Sequence, residues 1–437
     1  MIVTRLGLTN VRGIEDADFT FKPGFNLIVG VNGVGKTTVL DALRICCSRV
    51  LPGVTSSKAK AMSFDRGDIR LGFPFLNAVF HFEAGEREFL FERREWRETV
   101  AADSEENLAK LRREIIEAER LRARPRKLLR ELATTQSLVD SDFYSPSKQD
   151  LKQALAASAP PLVVFYSTSR SVISAAQSKG KSVGGPAAGY AEALLPRAWH
   201  IEQFADWIRV QLSLVGESDK AGRHVAAMKS AASRFLPNCT DITPGASAGS
   251  PLMITKAGLQ LDVRQLSDGE RGVLGVALDL ARRLSQVNPE SADPLAEGEA
   301  IVLIDEIDLH LHPKWQRLIV HNLTKAFPRC QFIATSHSPQ VIGEVQPDRI
   351  QIISNGEVHS PTHSFGVDSS RVLEEIMDSL PRAPEVQTLL DDLSRKVDEK
   401  DLKAANIIVA KLSMKLGEND AEVIRARTLL DFLGGEA

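Results

Sequence analysis

The segment GVNGVGKT at residues 30–37, called the phosphate loop below, has the residue types and spacing GxxxxGK[ST] of a site for phosphate groups. Its glycines let successive backbone N–H groups approach a phosphate chain, while Lys36 can reach the outer phosphates and Thr37 can ligate Mg²⁺. A buried strand is predicted at 25–29 and a helix from Lys36 onward, which would direct its positive end at the anion. The predicted nucleotide-binding residues here are Asn32, Gly33, Val34, Gly35, Lys36, Thr37 and Thr38.

Two adjacent acids, called the DE segment below, follow a second apolar run, IVLI at 301–304. Asp305, at the end of a strand predicted over 300–305, is suited to hold Mg²⁺ together with Thr37. Glu306 can orient and deprotonate a water molecule that attacks the terminal phosphate. Acids after buried strands also cap helices without any catalytic role. The phosphate loop in the same chain favours the interpretation of Asp305 as a metal ligand and Glu306 as a catalytic base.

His337 follows the next strand, which is predicted over 330–335. A histidine at this place can donate a hydrogen bond to the γ-phosphate or to the attacking water, so we expect it to be catalytic. A single histidine in a loop is more often a surface residue without function. Its position one strand after the DE segment favours the catalytic role.

A second candidate anion site lies at LSDGE, residues 266–270, called the signature segment below. Ser267, Gly269 and Glu270 open a predicted helix, whose free N–H groups attract an anion. Ser267 and Glu270 also have the spacing of a capping box, and the two interpretations are compatible. Since the phosphate loop already serves one face of a nucleotide, a second site so far along the chain indicates the ATP of a partner copy.

The chain has 437 residues, 43% hydrophobic and 25% charged, a composition typical of a globular protein. Its formal net charge of −3 gives no overall attraction to nucleic acid, so any such contact would need a local basic patch. The four cysteines form no CxxC pair, and neither a zinc site nor a disulfide framework is predicted. No apolar run approaches the ~20 residues that span a bilayer, so we expect a cytoplasmic protein without membrane contact.

Alternating strands and helices predict an α/β fold, with a mixed sheet and a helix directly after the phosphate loop. We assign this head to residues 1–54 and 255–370. Residues 55–254 are expected to form a mostly helical insertion, or arm lobe, that includes a short helical hairpin at about 104–138. Residues 371–437 are predicted to form a helical carboxy-terminal tail.

Together, the phosphate loop, the signature segment, the DE segment and His337 resemble ATPases with the ABC-type head, in the group of RecF, Rad50, SMC-like and OLD-like proteins. The segments IVGVNGVGKTT, RQLSDGERG and IDEIDLHLHPKWQ are most similar to bacterial ATP-binding proteins involved in virulence and to PtuA-like ATPases of Septu and retron anti-phage systems. The resemblance covers about residues 1–50 and 260–370.

In that family ATP is held between two heads, and the resemblance implies that Ser267 of one copy contacts the γ-phosphate bound by Lys36 of the other. It also implies ATP and Mg²⁺ as cofactors and a homodimer or higher even oligomer. ATP binding would close the heads, and hydrolysis at Glu306 would reopen them. The resemblance further implies a protein effector, which would be a nuclease in a defence system.

Other functions stay open at this point. A DNA-repair ATPase that binds DNA ends would use the arginines between 112 and 130, although the glutamates among them favour a solvated helical face. Nucleic acid is therefore left open as a partner. The energy-coupling subunit of a membrane transporter is disfavoured by the long segment 55–254. Arg170, just after a strand predicted over 160–166, is a further candidate for a place near the phosphates, although a role away from them is favoured.

Overall fold

The computed structural model describes residues 1–51, 61–97, 141–156, 161–171, 186–196, 201–246, 251–377, 379–380 and 382–435. Its strands are β1 (Ile2–Val11), β2 (Ile14–Thr20), β3 (Phe25–Val29), β4 (Phe75–Ala84), β5 (Arg87–Trp96), β6 (Ser141–Ser145), β7 (Leu162–Tyr166), β8 (Cys239–Pro244), β9 (Leu252–Lys256), β10 (Leu259–Asp262), β11 (Ala300–Ile304), β12 (Gln331–Ser336), β13 (Ile350–Ser354) and β14 (Glu357–His359). Its α-helices are α1 (Lys36–Val50), α2 (Lys148–Ala156), α3 (Pro186–Tyr190), α4 (Ile201–Leu214), α5 (Asp219–Phe235), α6 (Asp268–Val287), α7 (Pro294–Glu297), α8 (Pro313–Ala326), α9 (Pro339–Ile342), α10 (Ser369–Glu375), α11 (Pro384–Asp398), α12 (Leu402–Leu416) and α13 (Ala421–Gly435).

One sheet has the strand order β14-β13-β3-β12-β11-β7 and is parallel except for the β13–β14 pair. Strands β3, β7, β11 and β12 are buried along their whole length, because these nearly continuous apolar runs are covered on both faces. The strands predicted at 25–29, 300–305 and 330–335 match β3, β11 and β12 to within one residue. The predicted α/β class is confirmed.

A second, antiparallel sheet has the order β2-β1-β4-β5-β6. Helix α1 contacts strands of both sheets, so the helix that follows the phosphate loop is held on two sides. Its apolar residues join one continuous core with both sheets, which includes Leu6, Leu40, Leu43, Phe80, Ile301 and Ile333. Burial of this kind contributes roughly 25 cal/mol per Å² of apolar surface, so the core fixes the position of the loop firmly.

Residues 55–254, expected as a mostly helical insertion, contribute strands to both sheets. Strands β4, β5 and β6 extend the antiparallel sheet, and β7 pairs with β11 at the edge of the parallel sheet, with Val164 opposite Val302. Helix α5, in the same segment, packs against α6, and β8, β9 and β10 form a small antiparallel sheet. The predicted helical hairpin at 104–138 and the arginines between 112 and 130 lie outside the described residues.

Residues 1–367 and 368–437 are two compact units. The second unit contains α10 to α13, which confirms the helical character predicted for the tail. It has a core of its own, formed by residues that include Val386, Ala405, Val409, Leu412 and Val423. Among the residues described above, no helix has both the length and the apolar character needed to cross a membrane.

Candidate functional site

The phosphate loop connects β3 to α1 through a turn that requires glycine at two positions. Gly35 precedes α1 with φ = 110°, a conformation that other L-residues rarely adopt. A Cβ atom at Gly30 would lie 2.7 Å from Cγ1 of Val34 and 2.8 Å from the carbonyl oxygen of Ile353. The loop backbone is therefore packed too closely for a side chain at Gly30.

Lys36 lies across the phosphate loop. It is 7% exposed, and its ammonium donates hydrogen bonds to the carbonyl oxygens of Gly30 at 2.7 Å and Val31 at 3.1 Å. Burial lowers the pKa of Lys36, whereas the carboxylates of the DE segment act in the opposite direction. Of the other predicted nucleotide-binding residues, Asn32, Gly33 and Thr37 are exposed, Val34 is half-buried and Thr38 is buried in the first turn of α1.

Thr37 and Asp305 meet at the carboxyl end of the parallel sheet. The Thr37 hydroxyl donates to the two carboxylate oxygens of Asp305 at 3.1 and 3.3 Å. Thr335, on the neighbouring strand β12, donates to Asp305 Oδ1 at 2.7 Å. Hydroxyl and carboxylate oxygens are the ligands that Mg²⁺ prefers, usually one or two from the protein with the rest from substrate phosphates and water. In the described residues, no cluster of three His, Cys, Asp or Glu side chains competes as a metal site. The Thr37–Asp305 pair thus fits a nucleotide-bound Mg²⁺.

Glu306 occupies a sharp turn directly after β11. Its φ angle of 48° is in the left-handed region, which is uncommon for residues other than glycine. The Glu306 N–H donates to Thr335 Oγ1 at 2.7 Å, and its carbonyl oxygen accepts from the N–H of Leu309 at 2.9 Å. Arg170 donates to the backbone carbonyl oxygens of both Asp305 and Glu306. The half-buried carboxylate is near enough to Lys36 to affect the pKa of that residue.

His337 is linked to the loop after the DE segment through Asp308. His337 Nε2 lies 3.6 Å from Asp308 Oδ2, and Ser336 donates to Asp308 Oδ1 at 2.6 Å. Asp308 is buried, whereas the His337 side chain is partly exposed. The buried Nδ1 of His337 has no hydrogen-bond partner within the described ranges of the chain. The structure therefore brings His337 to the DE side of the site, with one ring nitrogen free.

The signature segment begins helix α6. The Ser267 hydroxyl accepts a hydrogen bond from the Glu270 N–H at 3.3 Å, and the Glu270 carboxylate returns to Ser267, which is a complete capping box. Lys256 forms an ion pair with Glu270. A Cβ atom at Gly269 would lie only 2.5 Å from the carbonyl oxygen of His310. The start of α6 is thus in close contact with the loop that follows the DE segment.

Two residues missed or left open by sequence reasoning complete the site. Thr335 joins Asp305 to Glu306 through one hydroxyl, and its only sequence signal is its place at the end of a buried strand. Arg170 is 8% exposed and reaches the backbone of the DE segment; it was a candidate because it follows a buried strand. The contact depends on β7 lying beside β11, which the sequence alone does not reveal.

A comparison with protein families agrees with this geometry. The family model described as "AAA domain, putative AbiEii toxin, Type IV TA system" matches residues 25–343, nearly three quarters of the chain. The chain belongs to this family. The matched range includes the phosphate loop, the signature segment, the DE segment and His337.

Individual relatives point the same way. The chain is 38% identical to the Retron Ec83 probable ATPase of Escherichia coli over 198 residues, which are 44% of this chain and 36% of the relative. It is 22% identical to the Septu protein PtuA of Bacillus thuringiensis over 346 residues, 78% of this chain and 73% of that protein. The chain thus spans about a third of the retron ATPase. These similarities confirm the predicted resemblance.

Among solved structures, an SMC head bound to the C-winged helix domain of ScpA aligns with a TM-score of 0.47 and 14% identity, over 82% of this chain and 98% of that one.

Proposed function

We propose that the chain binds and hydrolyses ATP with Mg²⁺, and that two copies close around ATP to complete each active site. One observation carries this proposal: the Thr37 hydroxyl lies 3.1 Å from Asp305 Oδ2. Lys36 and Glu306 lie beside this pair. These residues come from distant parts of the chain, and a role in helix capping or surface charge would not require them to converge. Membership of the AAA-domain family supports the same conclusion.

Each residue has a definite task in this proposal. Backbone N–H groups of the phosphate loop bind the phosphates, and Lys36 leaves its carbonyl partners to donate to the outer ones. Mg²⁺, held by Thr37 and Asp305, would neutralise charge on the phosphates. Glu306 orients the attacking water and accepts its proton. His337, on the DE side of the site, donates to the γ-phosphate.

The location of Ser267 supports pairing of two copies. Ser267 is exposed, and its hydrogen bonds in the part of the chain that the structure describes go to Glu270 and Arg271, not to the phosphate loop. The start of α6 at Ser267 is therefore an exposed candidate anion site at a helix N-terminus. We assign this site to the γ-phosphate of ATP bound by the partner copy. The complete unit is then a homodimer or a higher even oligomer.

We further propose that closure of the heads controls a protein effector, a nuclease of an anti-phage defence system. Similarity to a retron ATPase and to a Septu protein supports this context. The alternative is a repair ATPase that acts directly on DNA, which would use the arginines between 112 and 130.

The test compares the full-length wild type with Glu306→Gln. The variant should bind ATP, hydrolyse it at least about 100-fold more slowly, and assemble into dimers with ATP in mass photometry. Glu357→Gln, a change of an exposed residue on β14, should retain wild-type hydrolysis. Undiminished hydrolysis by Glu306→Gln would contradict its catalytic role. Assembly with ATP alone supports the clamp and a protein effector, whereas assembly only with DNA supports the repair alternative.

A further inference from the structure

Arg170 is a buried cation at the end of β7. Its Nη1 donates to the carbonyl oxygen of Asp305 and its Nη2 to that of Glu306, and Nη1 also reaches the carbonyl oxygen of Ser167 at 3.2 Å. The guanidinium thus bridges the end of β7 and the turn after β11, its neighbour in the sheet. A guanidinium is planar and presents its donors in a fixed fork, so it can bind two adjacent carbonyl oxygens at once.

The turn that Arg170 binds has an uncommon backbone conformation at Glu306. Glu306 has a positive φ angle without being glycine, and such a conformation persists only where its surroundings hold it. The Glu306 N–H is bound by Thr335, while its carbonyl oxygen and that of Asp305 are bound by Arg170. Together these contacts fix the peptide units on both sides of the Glu306 Cα atom, and so the direction in which the carboxylate leaves the backbone.

A direct phosphate contact is not the role that this geometry favours. Arg170 is 8% exposed, and both of its terminal nitrogens are engaged by carbonyl oxygens. Burial lowers the pKa of Arg170 to about 10, with the nearby carboxylates of Asp308, Asp305 and Glu306 opposing the change. The group is therefore still protonated at neutral pH and can donate to both carbonyl oxygens.

We propose that Arg170 is a positioning residue for ATP hydrolysis: it holds the turn that aims the Glu306 carboxylate at the attacking water. The inference rests on the proposed ATPase function. It predicts that loss of Arg170 impairs the chemical step and leaves nucleotide binding by the phosphate loop intact, because Lys36 and Thr37 do not contact the guanidinium in the described structure.

The test uses full-length Arg170→Gln and Arg170→Lys. Misplacement of a catalytic group by about 1 Å costs about 100-fold in rate, so Arg170→Gln should lower kcat by roughly that factor while the Kd of a fluorescent ATP analogue changes less than about 2-fold. Arg170→Lys should fall between this variant and the wild type, since one ammonium cannot reproduce the fork. Arg97→Gln is the matched control: Arg97 also binds backbone carbonyl oxygens, those of Ile69, Arg70 and Phe73, but it follows β5 of the antiparallel sheet. It should retain wild-type kcat.

A double variant separates positioning from other roles. If Arg170 acts through Glu306, Arg170→Gln added to Glu306→Gln should not slow hydrolysis further, because the two changes remove one function. Any of four results would overturn the inference. Two concern the single variants: wild-type kcat, or a loss of ATP affinity equal to the loss of kcat. The others are a further slowing in the double variant and failure of both Arg170 variants to fold. If Glu306→Gln itself hydrolyses ATP normally, the proposed function fails as well.

Discussion

Asp279 is a half-buried carboxylate on α6, with 15% of its side chain exposed. It pairs with Arg282 and Arg283, each at 2.7 Å, and accepts from the Tyr166 hydroxyl at 3.1 Å. Burial alone would raise the pKa of Asp279, but the guanidinium groups of Arg283 and Arg282 lower it well below its usual value. The network ties α6, which carries the signature segment, to β7, which ends near Arg170.

We expect Asp279→Ala to lower the free energy of unfolding by about 3–5 kcal/mol, because it leaves the buried Arg283 charge without its partner. The folded-state pKa of Asp279 lies below the unfolded value of about 3.9, so its contribution is fully present above that pH and is lost as pH falls. Urea unfolding at pH 7 therefore measures all of it.

Asp348→Ala serves as the control for Asp279→Ala. Asp348 also pairs with a cation, Lys22, but its side chain is 58% exposed and that of Lys22 is 51% exposed. Exposed pairs contribute only about 0–1 kcal/mol, so this change should lower the free energy of unfolding by no more than that. Equal losses for the two variants would mean that the buried network contributes no more than a surface pair.

At the scale of residues, the sequence is most informative where the candidate residues have a fixed local spacing. The phosphate loop and the DE segment are contiguous motifs, so their identification did not depend on strand order. Thr335 and Arg170 are different, because each acts across strands that are far apart in sequence. Their role becomes visible only when β7 and β12 flank β11 in the sheet.

At the scale of elements, the signature segment is in close contact with the loop that follows the DE segment. Gly269 of α6 leaves no room for a Cβ atom, which would lie 2.5 Å from the His310 carbonyl oxygen. Gly269, Ile307 and Arg170 also line one cavity between α6 and the turn after β11. The start of α6 is therefore packed against the loop that continues from the Glu306 turn.

Gly269→Ala should shift either the start of α6 or the loop at His310. Such overpacking destabilises by about 1–3 kcal/mol, and we expect slower ATP hydrolysis with ATP binding retained. The measurements are chemical denaturation, kcat, and the Kd of an ATP analogue. Gly222→Ala, in α5, is the matched control, since a Cβ atom there meets nothing within 4 Å and alanine favours helix by up to about 1 kcal/mol. Normal kcat in Gly269→Ala would show that this contact does not matter for catalysis.

Strands β3, β11 and β12 were predicted to within one residue and β7 to within two, because buried strands have nearly continuous apolar runs. The antiparallel sheet was not predicted as a unit, since the pairing of β1 with β4, Leu6 opposite Phe80, is non-local. The pairing of β7 was not predicted for the same reason. Its sequence predicts a buried strand, but the local pattern does not indicate that its partner is β11. Local sequence pattern therefore predicts the strands of this fold but not which of them pair.

At the scale of the whole molecule, composition suggests boundaries but not how segments share a core. Residues 55–254 differ in pattern from the rest, yet strands within them belong to all three sheets of the first unit. The last 70 residues, from Asp368, have a separate hydrophobic core. The residues proposed for catalysis all belong to the first unit, with Ser267 facing outward from it.

This arrangement predicts complementation between two inactive variants. In a symmetric pair, each site would combine Lys36 and Glu306 of one copy with Ser267 of the other. Lys36→Ala and Ser267→Ala should each be slow alone, yet in an equal mixture half of the dimers are mixed and one of their two sites is intact, which should restore about a quarter of the wild-type rate. Lys36→Ala mixed with Glu306→Gln is the control, because both residues serve the same site and no intact site can form. Steady-state ATP hydrolysis after exchange of subunits distinguishes the cases. Recovery in the control mixture as well, or in neither mixture, would contradict a site shared between two copies.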